Sequence, residues 1–514
     1  MESLSETEWD VVISGTGLQQ SLLALALSRS DKKVLHVDQN DYYGGAEAAF
    51  SLQEIEEWVN KIKSGTPTRP FQNASFSRYN IENATESEKL SFARAYTLSL
   101  SPQIIYTRAK LLSELVSSKV YRQLEFQAVG NWWIYDASNT NPEPGEGTLK
   151  RLPNGREDIF MDSTIDLRAK RGLMKFLKFV VDYENQREVW EPSAAKTFAE
   201  FLSTQFQLPP SLQTVIHSLT LSLDPPDQTL VSYALPRIAR HLTSIGVFGP
   251  GFGAVVPKWG GGSEIAQVAC RAGAVGGGVY VLGTGVTDAT VSNGVSDGEG
   301  ARTIGIILSS GDDIRSKTLA SEPDHTEAQS PSSECVSKIM GVVSSSFASL
   351  FATTVEDSPL AAVTVVVFPS SFAVAGSAGN SPIYIMVHSC DTGECPVGQC
   401  IIYVTSRYSS SSKARMEAAI STFLQKAGDG DAKLLYSVYY EQQRVSQTSS
   451  VEASTYRFPD PSLDLAFDDS ILENVEQAWN MMIGGDEGDV DLPPFMQFDD
   501  RPGMNADEED GFND

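Results

Sequence analysis

The chain opens with a short β-branched run, Trp9–Ser14 (WDVVIS), that stops at Gly15-Thr16-Gly17. Leu18, Leu22, Leu23, Leu25, Ala26 and Leu27 then recur as they do in an apolar helix. Lys32 and Lys33 follow, then a second apolar run, Val34–Val37, closed by Asp38. Strand, glycine turn, helix, strand and acidic residue come in the order of a βαβ unit. Its parallel strands are buried on both faces and therefore uniformly apolar. Ser51–Ser64 places Leu52, Ile55, Trp58, Val59 and Ile62 on one face and predicts an amphipathic helix. Thr66–Asn83 is polar and contains proline, which predicts a loop. Gln103–Val120 predicts a helix, Glu125–Tyr135 a strand, and Asp136–Gly147 a surface turn region.

Residues 163–245 are dominated by helical periodicity. Asp166–Glu184 carries Leu173, Phe176, Leu177, Val180 and Val181 on one stripe, and Thr197–Phe206 and Pro210–Leu221 are further helices. Gly260-Gly261-Gly262 opens a helix over Glu264–Ala272, followed by a strand at Val279–Leu282. Asp312–Glu334 is poor in apolar residues and predicts a flexible insertion. Strands return at Ala362–Phe368, Ile383–His388 and Cys400–Thr405, and helices at Arg415–Gly428 and Ser470–Met482. This is an α/β pattern with mixed sheets. It divides into a first domain in two parts (1–118 and 226–482), a smaller, largely helical second domain with a strand-like start (119–225), and a tail (483–514) expected to be disordered.

Charge narrows the function classes. Of 514 residues, 39 are Lys or Arg and 66 are Asp or Glu, a formal net charge of −27. Such a balance argues against a nucleic-acid binder, which needs a basic face toward phosphate, and suits partners with basic patches. Asp486–Asp514 holds 11 acidic residues and one basic residue, a net −10. No apolar run approaches the ~18 residues of a membrane span. Five cysteines without an evident secretion signal fit reduced thiols in the cytoplasm. Cys390, Cys395 and Cys400 recur every five residues near His388, a spacing that does not match paired zinc ligands, so no metal is expected. The five histidines form no nucleophile–base pattern with serine or cysteine, and no Walker motif is present, so the chain is not expected to be a GTPase itself.

The glycine turn is the sharpest chemical signal. A dinucleotide site needs G-x-G-x-x-G, the third glycine permitting close packing of helix on strand. Here the pattern is Gly15-Thr16-Gly17-Leu18-Gln19-Gln20, with Gln20 in the third position. Asp38 lies 21 residues beyond Gly17, at ribose-binding spacing. On turn chemistry alone the segment reads equally as a live flavin or nicotinamide site and as a βαβ unit that kept its turn and lost its ligand.

Three stretches resemble the Rab GDP-dissociation inhibitor and Rab escort protein superfamily. They are Asp10–Leu18 (DVVISGTGL), Lys33–Asp38 (KVLHVD) and Tyr42-Tyr43-Gly44-Gly45. Gly260–Leu282 is similar to the family's second signature, matched at Glu264, Gln267, Arg271, Gly277, Gly278 and Tyr280. Ile104–Arg108, Leu173–Phe179 with Asp182-Tyr183-Glu184, and Ala48–Ser51 lean toward the escort branch. The resemblance implies the two-domain, flavoprotein-like fold of FAD oxidases without a bound flavin, so no cofactor is expected. It also implies an accessory protein that binds GDP-bound Rab GTPases, presents them to the Rab geranylgeranyltransferase heterodimer, shelters the geranylgeranyl lipid and touches membranes transiently. An inhibitor that recycles prenylated Rabs is the alternative, and an FAD-dependent oxidase the outlying one.

By the same resemblance the Rab-binding platform falls on Tyr43, Arg94, Glu264, Gln267, Arg271 and Val281. Val281 departs from a common methionine, and Ala95, Thr97 and Ser99 depart from the polar pattern beside Arg94. Leu111, Leu112 and Leu115 match a groove for the GTPase's C-terminal tail, although an apolar stripe is more often core. Phe176, Leu177 and Val180 fall on the expected lipid- and transferase-binding helix. Its basic run, Arg168, Lys170, Arg171, Lys175 and Lys178, suits an acidic partner or a solvated face. Gly15, Gly17, Gln20 and Asp38 form the relic dinucleotide turn.

Overall fold

In a computed structural model, the structure describes all residues except 1–3, 66–67, 82–84, 86–87, 138–146, 154–164, 293–302, 323–333, 354, 373, 375–379, 428–431, 446–447, 453, 485–493 and 500–514. The helices relevant to function are α1 (Leu18–Leu27), α2 (Leu52–Lys63), α3 (Lys110–Ser117), α4 (Leu167–Val180), α5 (Phe198–Phe206), α6 (Pro210–Ser218), α7 (Val231–Ser244), α8 (Gly262–Val275), α9 (Ser412–Ala427) and α10 (Ser470–Ile483).

Two large sheets carry the architecture. In the first, Val279–Leu282, Val34–Asp38, Glu8–Ser14 and Asp313–Ser321 run parallel, the order a βαβ unit extended on both sides produces. Thr303–Leu308 and Val286–Ser292 add antiparallel strands, and Thr455–Arg457 pairs with the far end of Asp313–Ser321. One face of this sheet supports α1, α8, α3 and α10, whose apolar sides share one core with Val11 and Ile13. Trp9, Val12, Leu35 and Val37 point to the opposite face.

The second sheet runs Phe71–Arg78, Leu434–Arg444, Glu334–Val343, Cys400–Arg407, Ile383–Ser389, Val363–Phe368, Phe126–Asp136, Ala254–Pro257 and Ile105–Tyr106. Its neighbours are antiparallel except Val363–Phe368 with Phe126–Asp136. One face packs on α2 and the 96–106 segment, the other on α9. A capping box holds the start of α2. Ser51 Oγ accepts from the Glu54 amide at 3.4 Å, and Glu54 Oε2 accepts from the Ser51 amide at 2.8 Å.

Helices α4–α6 and α7 enclose their own core of Phe176, Phe179, Phe198, Phe201, Phe206 and aliphatic neighbours. The expected 119–225 boundary shifts at both ends. Phe126–Asp136 belongs to the second sheet, and α7, beyond 225, completes the helical core. The reason is that α7 faces two ways. Its apolar residues join the helices, while Arg237 pairs with Asp464 at 2.8 Å and Arg240 with Asp469 at 2.9 Å on the main body.

Other expectations change too. Thr66–Asn83 is not all loop, because Phe71, Ala74 and Phe76 give it enough inward apolar surface to pair as an edge strand. Gln103–Val120 splits, with Ile105–Tyr106 taking a short strand and the helix confined to Lys110–Ser117. The flexible insertion over 312–334 is corrected. Asp313–Ser321 is an interior strand of the first sheet, its polar look arising from alternation of exposed Asp313, Arg315 and Lys317 with buried Ile314 and Ser316. Only 323–333 of that stretch lies outside the described residues. Most of 136–147 and of the acidic tail also lies outside them, but Pro494–Asp499 is ordered against the domain, with Met496 buried. Among the described residues, no helix is long and apolar enough to cross a membrane.

Candidate functional site

Two places concentrate the sequence-predicted residues, the glycine turn and the face of α8. At the turn, Gly15 takes a positive φ (+89°), which a glycine accommodates at no steric cost. Its amide donates to the Val37 carbonyl at 2.8 Å, closing the strand onto its neighbour. Asp38 reaches back across the crevice. Its Oδ2 accepts from the Thr16 amide at 2.7 Å and the Thr16 hydroxyl at 2.6 Å, and its Oδ1 from the Asn40 amide at 2.8 Å. A carboxylate at ribose-binding spacing is thus engaged by the chain's own loop. Burial raises its pKa, and these hydrogen bonds oppose the rise.

Two residues the sequence pattern did not single out decide what this crevice can hold. Glu47 Oε2 accepts from the Leu18 amide at 3.1 Å, so a buried carboxylate sits at the N-terminus of α1, where a pyrophosphate would bind. Glu322 lies over Gly15, and a Cβ added there would meet Glu322 Oε1 at 2.2 Å. Burial pushes the Glu47 carboxyl up to about 7, with the Leu18 amide and Lys338 pulling the other way. Burial, together with Asp38, Asp460 and Glu47, pushes Glu322 up to about 8. Lys338 is buried on the second sheet with Nζ 3.3 Å from both the Leu100 carbonyl and Ser101 Oγ, and burial lowers it to about 7. Gln20 is buried, its Oε1 2.9 Å from where a Gly17 Cβ would project. Two carboxyls where phosphates would go, with Gln20 alongside, do not fit a flavin dinucleotide. Glu47 carried one legible sign, its place just after the Gly44-Gly45 pair. Glu322 carried none, being brought in by a strand from 300 residues downstream.

At α8 the signature residues gather as a surface. Glu264 in the first turn and Arg271 two turns on share a face. Glu264's carboxyl is raised by burial, with Arg271 opposing. Gln267 is exposed and donates to Ser263 Oγ at 3.1 Å, while Arg271 is exposed and reaches Gln123 Oε1 at 3.5 Å. Tyr43 is half-buried beside them, its ring 6.4 Å from that of Tyr280. Arg94 stands exposed on the turn Ala93–Ala95, which leads to Thr97. The Thr97 methyl lies 3.2 Å from where a Gly260 Cβ would sit, next to the start of α8.

Val281 does not join this surface. Tyr280 points to the α8 side, so strand alternation turns Val281 to the other face, against the core of Trp9, Val12, Leu35 and Val37. The structure adds apolar residues near Arg94. Phe92 is 72% exposed and Val397 87%, on loops tied by the bonds of Thr97 to Glu394 and of Gln399 to Lys89. Trp259 is 41% exposed and joined to the same loops through Thr392. Exposure of single apolar side chains leaves no periodic trace, so sequence reasoning had no means of finding them.

Leu111, Leu112 and Leu115 turn inward and belong to the core shared by α1, α8 and α10, so they do not line an open groove; Val116 is the exposed apolar residue of α3. Phe176 and Val180 are fully buried, the Phe176 ring 5.3 Å from Phe206 and 6.1 Å from Phe198, and only Leu177 is half-buried. These are packed core positions. His388 Nδ1 lies 2.9 Å from Glu394 Oε2 and Cys395 Sγ bonds the Gln399 carbonyl, so each is engaged locally. No group of three His, Cys, Asp or Glu able to hold a metal occurs among the described residues.

Comparison with known proteins places these sites in context. The sequence profile described as GDP dissociation inhibitor matches residues 5–410. The chain is 39% identical over 274 residues to the Saccharomyces cerevisiae protein named Rab proteins geranylgeranyltransferase component A, covering 53% of this chain and 43% of that one. It is 26% identical over 477 residues to the Drosophila melanogaster protein of the same name, covering 90% of this chain and 86% of the relative. The match thus spans less than half of the yeast relative. Among solved structures, the Rab GDI of Plasmodium falciparum superposes with a TM-score of 0.63 at 19% identity, over 93% of this chain and 98% of that one, which establishes a shared fold.

Proposed function

This chain belongs to the GDP dissociation inhibitor family, and from that premise we propose that it is a Rab escort protein, a non-catalytic accessory subunit of Rab geranylgeranyltransferase. It grips a GDP-bound Rab GTPase with the α8 surface, presents it for prenylation of its C-terminal cysteines, and carries the product to a membrane from the cytoplasm. The observation that carries the reading is the 39% identity with a protein named as that enzyme's component A.

The physics of the two sites supports it. Arg94 and Arg271, with Glu264 and Gln267 between them, offer charge of both signs on one exposed face, which suits polar recognition of a folded partner. Phe92, Trp259 and Val397 supply apolar contact at its edge. Glu47 at the start of α1 and Glu322 over Gly15 support a protein that works without a flavin. The helical layer α4–α7, whose aromatic core is filled by its own rings, takes up a C20 chain by parting its helices. Burying each methylene there is worth about 0.8 kcal/mol.

The test is reconstitution. Purified protein is added to the transferase heterodimer, a GDP-bound Rab and geranylgeranyl diphosphate, and its visible absorbance is recorded. Prenylation that depends on this chain, from a colourless preparation, is the expected result. Extraction of prenylated Rab from membranes without support of prenylation would instead assign the inhibitor role. Bound flavin would overturn both.

A further inference from the structure

α4 turns Ala169, Leu173, Phe176, Phe179 and Val180 into the core of the helical layer. On its outer side the exposed residues from 168 to 180 are Arg168, Arg171, Lys175 and Lys178, and every one is a cation. Steps of three, four and three residues set them on one stripe. The helical rise makes that stripe about 15 Å long. None of these cations makes an ion pair among the described residues, whereas Arg187 pairs with Glu191 and Lys196 with Glu200 nearby in the chain. Arg168 Nη2 donates to Gln207 Oε1 at 2.8 Å, and Lys175 Nζ to the Gln205 carbonyl at 3.4 Å. Beside the stripe the end of α5 exposes Ser203, Thr204, Gln205 and Gln207, all uncharged. Leu167, 75% exposed, and Val181, 54% exposed, stand at its two ends.

We propose that this stripe docks the helical layer on an anionic lipid bilayer. The inference deepens the escort reading and rests on it for its purpose, because α4 against the headgroups sets the layer that takes up the C20 chain at the surface that receives it. Two features favour lipid headgroups over an acidic protein. The stripe carries one sign of charge, whereas the α8 surface, read as a protein-binding face, sets Glu264 against Arg271. Its outer side also lacks the aromatic anchor that protein interfaces use, since Phe176 and Phe179 are buried. Unpaired cations on long stems meet headgroups that move laterally to them, and Leu167 and Val181 supply apolar contact at the interface. The net charge of −27 does not prevent this. At physiological salt charges act over about 8 Å, so the acids that count are those at the stripe itself. Asp166 Oδ1 accepts from the Arg168 and Ala169 amides at 2.8 and 2.9 Å and so serves the helix N-terminus. Asp182, with Glu184 beyond it, lies past the other end, and its Oδ1 accepts from Asn185 Nδ2 at 2.6 Å. Each Lys or Arg at an anionic surface raises the affinity about fivefold, so four together raise it about 600-fold.

The test floats the full chain with vesicles of phosphatidylcholine alone and of phosphatidylcholine with about one-third phosphatidylserine. The expected result is binding to the anionic vesicles and far less to the neutral ones. It should be lost in about 0.5 M salt, where charges act over about 4 Å. Arg171→Gln, Lys175→Gln and Lys178→Gln together should weaken binding to the anionic vesicles about 100-fold. Lys61→Gln, Lys413→Gln and Lys426→Gln together remove the same charge from exposed positions of α2 and α9 and should stay within about twofold of wild type. Equal losses in the two variants would mean that net charge alone attracts the protein and would overturn the stripe. Wild type with no preference for the anionic vesicles overturns docking outright. Vesicle binding untouched in the stripe variant, with affinity for the transferase heterodimer lost, would assign the stripe to an acidic protein instead. Stripe-dependent vesicle binding by a chain that supports no prenylation upholds the docking while the escort reading fails. Arg171→Gln alone, at an exposed position, should lose about fivefold and carries the comparison if the triple variant melts.

Discussion

The backbone amide of Leu18 donates to Oε2 of Glu47 at 3.1 Å, so a carboxyl of this chain holds the positive end of α1. Glu47 shares its surroundings with Glu322 and Lys338, and each of the three titrates away from its ordinary range. Two folded carboxyls raised to about 7 and 8 bind protons that the unfolded chain has already lost. Stability from them is greatest below about pH 4.5 and falls as pH rises to about 8. Folded Lys338, lowered to about 7, has lost a proton the unfolded chain keeps, so its contribution to stability rises between about pH 7 and 10.5. Together they predict a stability minimum near pH 7–8. Glu47→Gln, which keeps an acceptor for Leu18, should shrink the loss between pH 5 and 8 by about 1–2 kcal/mol in urea unfolding. An unchanged pH profile in that variant would refute the assignment.

Restoring the third glycine should not restore a flavin. Gln20→Gly clears one side chain, but Glu47 still engages the Leu18 amide and Glu322 still covers Gly15. The single variant should purify colourless and remain so after incubation with FAD. Adding Glu47→Ala and Glu322→Ala removes both carboxyls from the phosphate path. FAD uptake by Gln20→Gly alone, read by absorbance and fluorescence quenching, would show that the carboxyls do not block the site.

The α8 surface and Val281 should separate in their effects. Arg271 is exposed, 3.5 Å from Gln123 Oε1, so Arg271→Glu should change the melting temperature little. It should weaken GDP-bound Rab binding by about 1–3 kcal/mol, as the loss of a charged contact does. Val281→Asp sets a charge at a half-buried position against the apolar cluster of Trp9 and Leu35 and should lower the melting temperature first. Calorimetry beside a Rab titration checks both, and the reverse pattern would place Val281 on the platform.

Local chemistry accounts for what was legible in the sequence. The βαβ order and the helices α2 and α8 are written in contiguous residues, and each forms where the sequence places it. Non-local pairing accounts for the rest. Asp313–Ser321 looks polar until its alternate residues are buried between parallel Glu8–Ser14 and antiparallel Thr303–Leu308. Leu111 and Phe176 lie on apolar stripes whose spacing fits both groove and core, and the packed partners decide for core. Glu322 became part of the glycine turn through strand pairing, which no spacing rule anticipates.

Gly172 in α4 gives a test of helix packing in which two known effects oppose. In a helix interior, alanine is favoured over glycine by about 1 kcal/mol, so propensity alone predicts that Gly172→Ala stabilises. A Cβ at this position, however, would lie 2.5 Å from the carbonyl oxygen of Phe206 and 3.2 Å from a Leu208 methyl. The first is backbone at the end of α5 and cannot rotate away, so α4 must shift against a core in which the Phe176 ring meets Phe206. Overpacking of this kind costs about 1–3 kcal/mol, which exceeds the propensity gain. Gly172→Ala should therefore destabilise the helical layer by about 1–2 kcal/mol. Phe176→Ala, which removes the neighbouring ring contact with Phe206, should cost about 3–5 kcal/mol. Chemical denaturation of both variants checks the order, and a stabilised Gly172→Ala would mean that α4 and α5 are free to move apart at this contact.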